Sequence, residues 1–146
     1  MAEVIALASD HGGLDLKNAL IQKLHEEGYE TLDLGTYTHD SVDYPDYAAL
    51  MAKAIKEGKA QRGILTCGTG IGIRIAANLF PHLRAALVHD AFGARLCREH
   101  NNANVLVMGG RTTGIEVAYE CMDIFWKTQF AGGRHEARVN KLSSFC

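Results

Sequence analysis

The chain has no apolar run near the roughly 18 to 20 residues of a bilayer span, which leaves no candidate for a membrane-crossing helix. Neither charge is in surplus: 15 basic and 17 acidic residues are interspersed and leave a formal net charge of −2. Nucleic acids and anionic membrane surfaces are recognised through concentrated positive charge, so neither is an expected partner. The four cysteines, Cys67, Cys97, Cys121 and Cys146, have no CxxC or metal-type spacing. They read as reduced cytosolic thiols, most of them structural, and the protein is expected to be cytoplasmic. The first eight residues carry Glu3 and no basic n-region, so they are expected to lead into a strand, not to form a signal peptide. Hairpin-turn signals, internal repeats and low-complexity stretches are missing as well. The 146 residues, 47% of them hydrophobic, suit one globular domain over 1–146, within the usual span of roughly 100 to 200 residues. Small molecules or a second copy of the chain are the expected partners.

The apolar pattern alternates strand and helix. Val4 to Ala8 is a β-branched apolar run that ends in Asp10-His11-Gly12-Gly13, and Leu14, Leu16, Leu20, Ile21 and Leu24 then recur at helical spacing until Gly28. Tyr29 to Leu34 predicts a second strand, followed by a polar loop over 36–45 and a helix from about Asp46 to Gly58. Arg62 to Thr66 is the third strand, with a helix after it that stops near Phe80-Pro81. Arg84 to Val88 predicts a fourth strand, and Ala91 to His100 a helix with Ala94, Leu96 and Cys97 toward the core. Asn104 to Met108 is the fifth strand, and a helix is expected from about Thr113 to Phe130. Gly132-Gly133 then opens a short tail, residues 131–146. Five strands alternating with five helices predict an α/β fold, a five-stranded parallel sheet covered by helices on both faces. In such sheets ligands bind beyond the carboxyl ends of the strands.

The most informative stretch is Gly63-Ile64-Leu65-Thr66-Cys67-Gly68-Thr69-Gly70-Ile71-Gly72. A strand delivers a cysteine into a glycine-rich turn, and Gly68, Gly70 and Gly72 let backbone N–H groups converge on an anion. The turn also opens a helix, whose N-terminal end favours a bound anion and a nearby thiolate. The plainer alternative is a tight turn beside a buried cysteine. Asp10 could be a helix cap or a working carboxylate, and His100 a dipole contact at a helix end or an acid/base. Arg134 and Arg138 stand one helical turn apart, so both can face one phosphate or form a solvated basic tail. Taken together on one edge of the protein, a thiol, a carboxylate, two loop histidines, arginines and an N–H cradle suit proton transfer beside a carbonyl on a phosphorylated substrate.

Ser9-Asp10-His11-Gly12-Gly13, Asp43-Tyr44-Pro45, Cys67 to Gly72 with Ile75-Ala76-Ala77-Asn78, His100-Asn101 with Asn104-Val105, and Gly132-Gly133-Arg134-His135 with Arg138 closely resemble the type B ribose-5-phosphate isomerases. That family includes the galactose-6-phosphate isomerase subunits. The resemblance covers nearly the whole chain in order and spacing. It implies a Rossmann-like three-layer α/β/α sandwich with a five-stranded parallel sheet, an aldose–ketose isomerase without metal or cofactor, and a homodimer, with a tetramer as the alternative, whose active site lies between subunits.

The same resemblance implies roles for individual residues. Cys67 is the base moving a proton between C1 and C2, Thr69 assists transfer between the two oxygens, and Gly68, Gly70, Ile71 and Gly72 supply the anion hole for a cis-enediolate. His100 is the ring-opening acid/base, and Asp10 the carboxylate on the sugar hydroxyls. His11, Arg111, Arg134 and Arg138 are phosphate ligands and Asn101 a hydroxyl contact, with His100 and Asn101 reaching into the partner's site. One branch of the family lacks the cysteine and has a glutamate at the position of Ile73, which places this chain in the cysteine branch. Tyr44 and Arg74 are candidate specificity residues, and Arg74 stands where the family has a small polar residue. Turned inward it would shorten the pocket; turned outward it is a surface or interface residue. The chain also ends eight residues past Arg138, slightly earlier than many relatives. The implied substrate pair is ribose 5-phosphate and ribulose 5-phosphate. The alternatives are a tetrose or hexose phosphate (erythrose/erythrulose, allose or galactose phosphate) and, further off, a non-catalytic phosphate-binding module.

Overall fold

The computed structural model describes residues 3–145; Met1 and Ala2 of the expected leading segment, and Cys146, lie outside them. In chain order the elements are β1 (Val4–Ser9), a 3-10 turn (His11–Gly13), α1 (Leu14–Glu26), β2 (Glu30–Asp33), α2 (Tyr44–Lys56), β3 (Arg62–Cys67) and α3 (Ile71–Ala77). There follow β4 (Ala85–Leu87), α4 (Ala91–Glu99), β5 (Val105–Gly109), α5 (Ile115–Lys127), α6 (Arg134–Leu142) and a closing 3-10 turn (Ser143–Phe145). The five strands form one sheet in the order β2-β1-β3-β5-β4, every neighbouring pair parallel. This is the parallel α/β sheet expected from the strand–helix alternation, and the Rossmann-like architecture that the resemblance implies.

Alternation along the buried strands sends successive side chains to opposite layers. Ile5, Leu7, Ile64, Leu106 and Met108 pack against Leu16, Leu20 and Leu24 of α1 and Met122 and Phe125 of α5. Ala6, Ala8, Leu65, Val105 and Val107 pack on the other face against Ala48 and Met51 of α2 and Ile73 and Ala77 of α3. Ser9 pairs with Thr66 and Cys67 with Gly109, so β1, β3 and β5 end level at one edge. Among the described residues no helix is long and apolar enough to cross a membrane.

The structure departs from the sequence expectation at several places. Helix α2 begins at Tyr44, two residues early, because a proline in the first helical turn forfeits an N–H that has no partner there anyway. Helix α5 stops at Lys127, short of Phe130, where Thr128 turns extended and its hydroxyl bonds back to the Ile124 carbonyl at 2.6 Å. Leu96, expected in the core, is half-buried and lines a surface cavity. The tail after Gly133 is a helix, α6, so the described residues form six α-helices.

Candidate active site

From β1 the chain crosses to β2 on one side, while β3 lies on the other, so the turns after β1 and β3 diverge and open a crevice at the carboxyl edge. Three turns meet there at backbone contact. A Cβ on Gly13 would stand 2.5 Å from the Thr66 carbonyl, and one on Gly110 2.7 Å from the Gly12 oxygen, so both positions admit only glycine. The turns are bonded together: Thr66 Oγ1 donates to the Gly13 carbonyl at 2.8 Å, Gly110 N–H to Cys67 at 2.8 Å and Arg111 N–H to Gly68 at 2.9 Å. Asp10 is 7% exposed, and its Oδ1 accepts both Gly12 N–H at 2.9 Å and Gly13 N–H at 3.1 Å. It is therefore a cap, and the cap fixes the carboxylate beside the crevice.

Cys67 ends β3 at 5% exposure, and its Sγ accepts the Gly70 N–H at 3.2 Å. That contact needs Gly70 in the left-handed region, at φ 79°, with its Cα facing Leu87 and Met108, where a Cβ would come within 2.6 Å of the leucine. Thr69 is exposed, and its Oγ1 accepts the Ile71 N–H at 3.2 Å. The Arg111 guanidinium lies along Gly68, and the ring of Tyr44 lies on Gly72, so close that a Cβ there would be 2.7 Å from the ring. His11 completes this group from the first residue of the 3-10 turn. Ile73, by contrast, is fully buried in the core. Burial pushes the thiols of Cys97 and Cys121 up to about 11, which leaves them protonated and inert near neutral pH.

His100, Asn101, Arg134 and Arg138 form a second group elsewhere. A helix that joins parallel strands runs back down the sheet, so α4 starts at the carboxyl edge with Asp90 capping Gly93 N–H and ends at the amino edge with His100. Helix α5 returns the same way, and α6 begins near its end. The His100 and His135 rings stack with centroids 4.2 Å apart at 15°. His135 is 9% exposed, and its pKa is held below the usual histidine value by desolvation first, then by His100, Arg134 and Arg138. These five residues line a hollow of about 260 Å³ with Val139 and Leu142.

The single edge expected from the sequence therefore divides in two within one chain. The five residues of β5, about 16 Å of extended chain, separate the edge of Cys67 from that of His100. The signal for this was present, since the end of any crossover helix lies opposite the strand ends. The motif implies no role for His135, and a lone histidine in a polar tail gives no sign of the ring stacked on it.

Arg74 is exposed and faces a larger cavity of about 680 Å³ along the open side of β4, shared with Asn101, Val139 and Leu142. Ile71 and Ile75 on α3 and Leu79 in the turn that follows it, four residues apart, are 53%, 56% and 78% exposed and make an apolar stripe. Helix α6 buries only His135. Among the described residues no group of three or more His, Cys, Asp or Glu side chains is placed to hold a metal ion.

Proteins of known family and structure resemble this chain along nearly its whole length. The model of the family described as Ribose/Galactose Isomerase matches residues 5–142. Ribose-5-phosphate isomerase B of Escherichia coli is 42% identical over 140 residues, 96% of this chain and 94% of the relative. D-erythrulose-4-phosphate isomerase of Pectobacterium atrosepticum is 40% identical over 145 residues, 97% of this chain and 93% of the relative. The crystal structure of a ribose 5-phosphate isomerase from Thermotoga maritima superposes with a TM-score of 0.96 at 47% identity, covering 99% of each chain. With that match over nearly its full length, the chain belongs to the ribose/galactose isomerase family.

Proposed function

We propose that residues 1–146 act as one isomerase domain that interconverts ribose 5-phosphate and ribulose 5-phosphate through a cis-enediolate. The observation that carries this reading is the Cys67 thiol, held by the Gly70 N–H inside a turn of backbone donors beside Asp10. Cys67 as thiolate removes the C2 proton of the open-chain aldose. The electron pair forms the C1–C2 double bond, a proton passes from O2 to O1 with Thr69 assisting, and Cys67 returns its proton to C1. The developing oxyanion meets the N–H groups of Gly68 to Gly72, those of Gly70 and Ile71 turning to it from Cys67 Sγ and Thr69 Oγ1; one donor of this kind contributes about 3 to 4 kcal/mol. His11, Arg111, Arg134 and Arg138 hold the phosphate, Asn101 a sugar hydroxyl, and His100 with Asp10 opens the furanose.

In this reading no chain is complete alone. A two-fold axis across the open side of β4 would bring the amino edge of one copy, with His100, Asn101, Arg134 and Arg138, against the carboxyl edge of the other. The apolar stripe on α3 and the scarcely buried α6 support such a homodimer. A cytoplasmic setting is part of the proposal and accords with Cys67, Cys97 and Cys121, all free.

A second reading, the same chemistry on a tetrose phosphate, is favoured by the relative named D-erythrulose-4-phosphate isomerase at 40% identity. Four-, five- and six-carbon sugar phosphates assayed on wild type and Arg74→Ser separate the two. For the mechanism, Cys67→Ala and Cys67→Ser are assayed for turnover and for exchange of solvent deuterium into C2. Both are expected to fall by about 10²- to 10⁴-fold, the usual contribution of one general acid/base. Serine keeps the size and the bond to Gly70 and lacks an acidic proton, so near-normal turnover by it would remove the thiol from the reaction.

A further inference from the structure

The segment from Asp33 to Asp43 runs in the opposite sense alongside the start of α1 and the 3-10 turn before it, and is fastened at three points, two on the helix and one on the turn. Lys17, 1% exposed, donates to Asp33 Oδ1 at 2.6 Å, and its Nζ sits 5.4 Å from the centre of the Tyr37 ring. His39 Nε2 meets Asp15 Oδ1 at 2.8 Å. At the far end the main-chain N–H of Val42 donates to His11 Nδ1 at 3.2 Å. Two residues on, the ring of Tyr44 covers Gly72 of the cradle.

A neutral imidazole has one N–H and one bare nitrogen, and the partner of either nitrogen decides where the proton sits. The Val42 N–H can only donate, so Nδ1 must be bare and the proton must be on Nε2. We infer that the Val42 amide locks His11 in its Nε2–H form, so that the ring presents a donor and not a lone pair to the substrate's phosphate. This rests on the reading of His11 as a phosphate ligand. The opposite tautomer would set two donors face to face at Val42 and aim a lone pair at phosphate oxygens. The segment 33–43 is thus a positioning element: Lys17 and Asp15 hold it in register, and its backbone sets the chemistry of a ring on another element.

The test is a long-range 1H–15N correlation spectrum of histidine-labelled full-length protein, with and without inorganic phosphate. A protonated Nε2 and a bare Nδ1 on His11 are expected, with the Nε2 resonance moving as phosphate is added. A protonated Nδ1 overturns the inference. The Nε2–H pattern with no response to phosphate upholds the lock and removes His11 from the phosphate site instead. Val42→Pro deletes the donor and is expected to weaken inorganic phosphate about tenfold, the worth of one hydrogen bond to a charged group, while Val42→Ala keeps it and leaves phosphate affinity unchanged. Should the proline variant not fold, His11→Gln and His11→Asn decide. The glutamine amide reaches the Nε2 position and should bind phosphate within about threefold of wild type, whereas asparagine reaches only Nδ1 and should lose about tenfold. Equal losses from the two would refute a donor at Nε2.

Discussion

If each site draws Cys67 from one chain and His100 from another, two inactive variants should repair each other. Cys67→Ala removes a sulfur from a site that is 5% exposed and breaks its bond to Gly70; His100→Ala removes a half-buried ring at a helix end. Neither change threatens the sheet, and each variant alone should lose about 10²- to 10⁴-fold in turnover. The sheet height of about 16 Å along β5 exceeds any reach of the His100 side chain within its own chain. A dimer of one chain of each variant then has one site with both substitutions and one with neither. Equal amounts pairing at random make about half of all dimers mixed, each with one intact site of two, so turnover per chain should return to about one quarter of wild type. Mixed dimers purified through two different affinity tags should reach about one half. The assay is ribose 5-phosphate turnover after co-expression, with the mixed composition verified by intact mass. Mixed dimers that stay as inactive as their parents would refute the shared site, because an in-chain site leaves no intact copy in any pairing.

Other consequences follow from the same geometry. Gly13→Ala drives a Cβ to 2.5 Å from the Thr66 backbone and should destabilise the fold by about 3 kcal/mol in urea denaturation, while Gly114→Ala, with open space and φ −64°, should change it by less than about 1 kcal/mol; equal effects would discount the packing of the turns. His135 has a lowered folded pKa, so the unfolded chain takes up its proton first as pH falls through about 6.5, and stability should decline from there toward the folded pKa. Glu99 opposes the effect of His100, Arg134 and Arg138, and His135→Phe, which keeps the stack, should flatten the fall in thermal midpoint between about pH 7 and 5. Leu79→Asp touches a side chain 78% exposed, so it should leave the monomer folded yet raise the dimer dissociation constant at least about tenfold, measured by sedimentation. An unchanged dimer would place the interface elsewhere than the α3 stripe.

The alternation of apolar strands with amphipathic helices sufficed for a parallel sheet, because that periodicity is a local property of the chain. The run from Thr66 to Gly72 marked a strand-end thiol entering a glycine-rich turn and left open whether that turn cradles an anion or only closes tightly; the bond from Gly70 N–H to Cys67 Sγ is what the fold adds. Helix ends were less well defined: Pro45 is tolerated inside the first turn of α2, and Gly132-Gly133 looked like the start of a loose tail and instead precedes α6. Only the tertiary structure could separate the site into halves. Proximity of Cys67 and His100 in a list of reactive groups says nothing of which edge each occupies, and the direction of α4 back down the sheet puts them at opposite ends. The same holds for Val42 and His135, whose partners lie 31 and 35 residues away in the chain. A main-chain amide has no signature in a sequence, and a stacked ring has none either, so the tautomer of His11 and the setting of His100 belong to the fold alone.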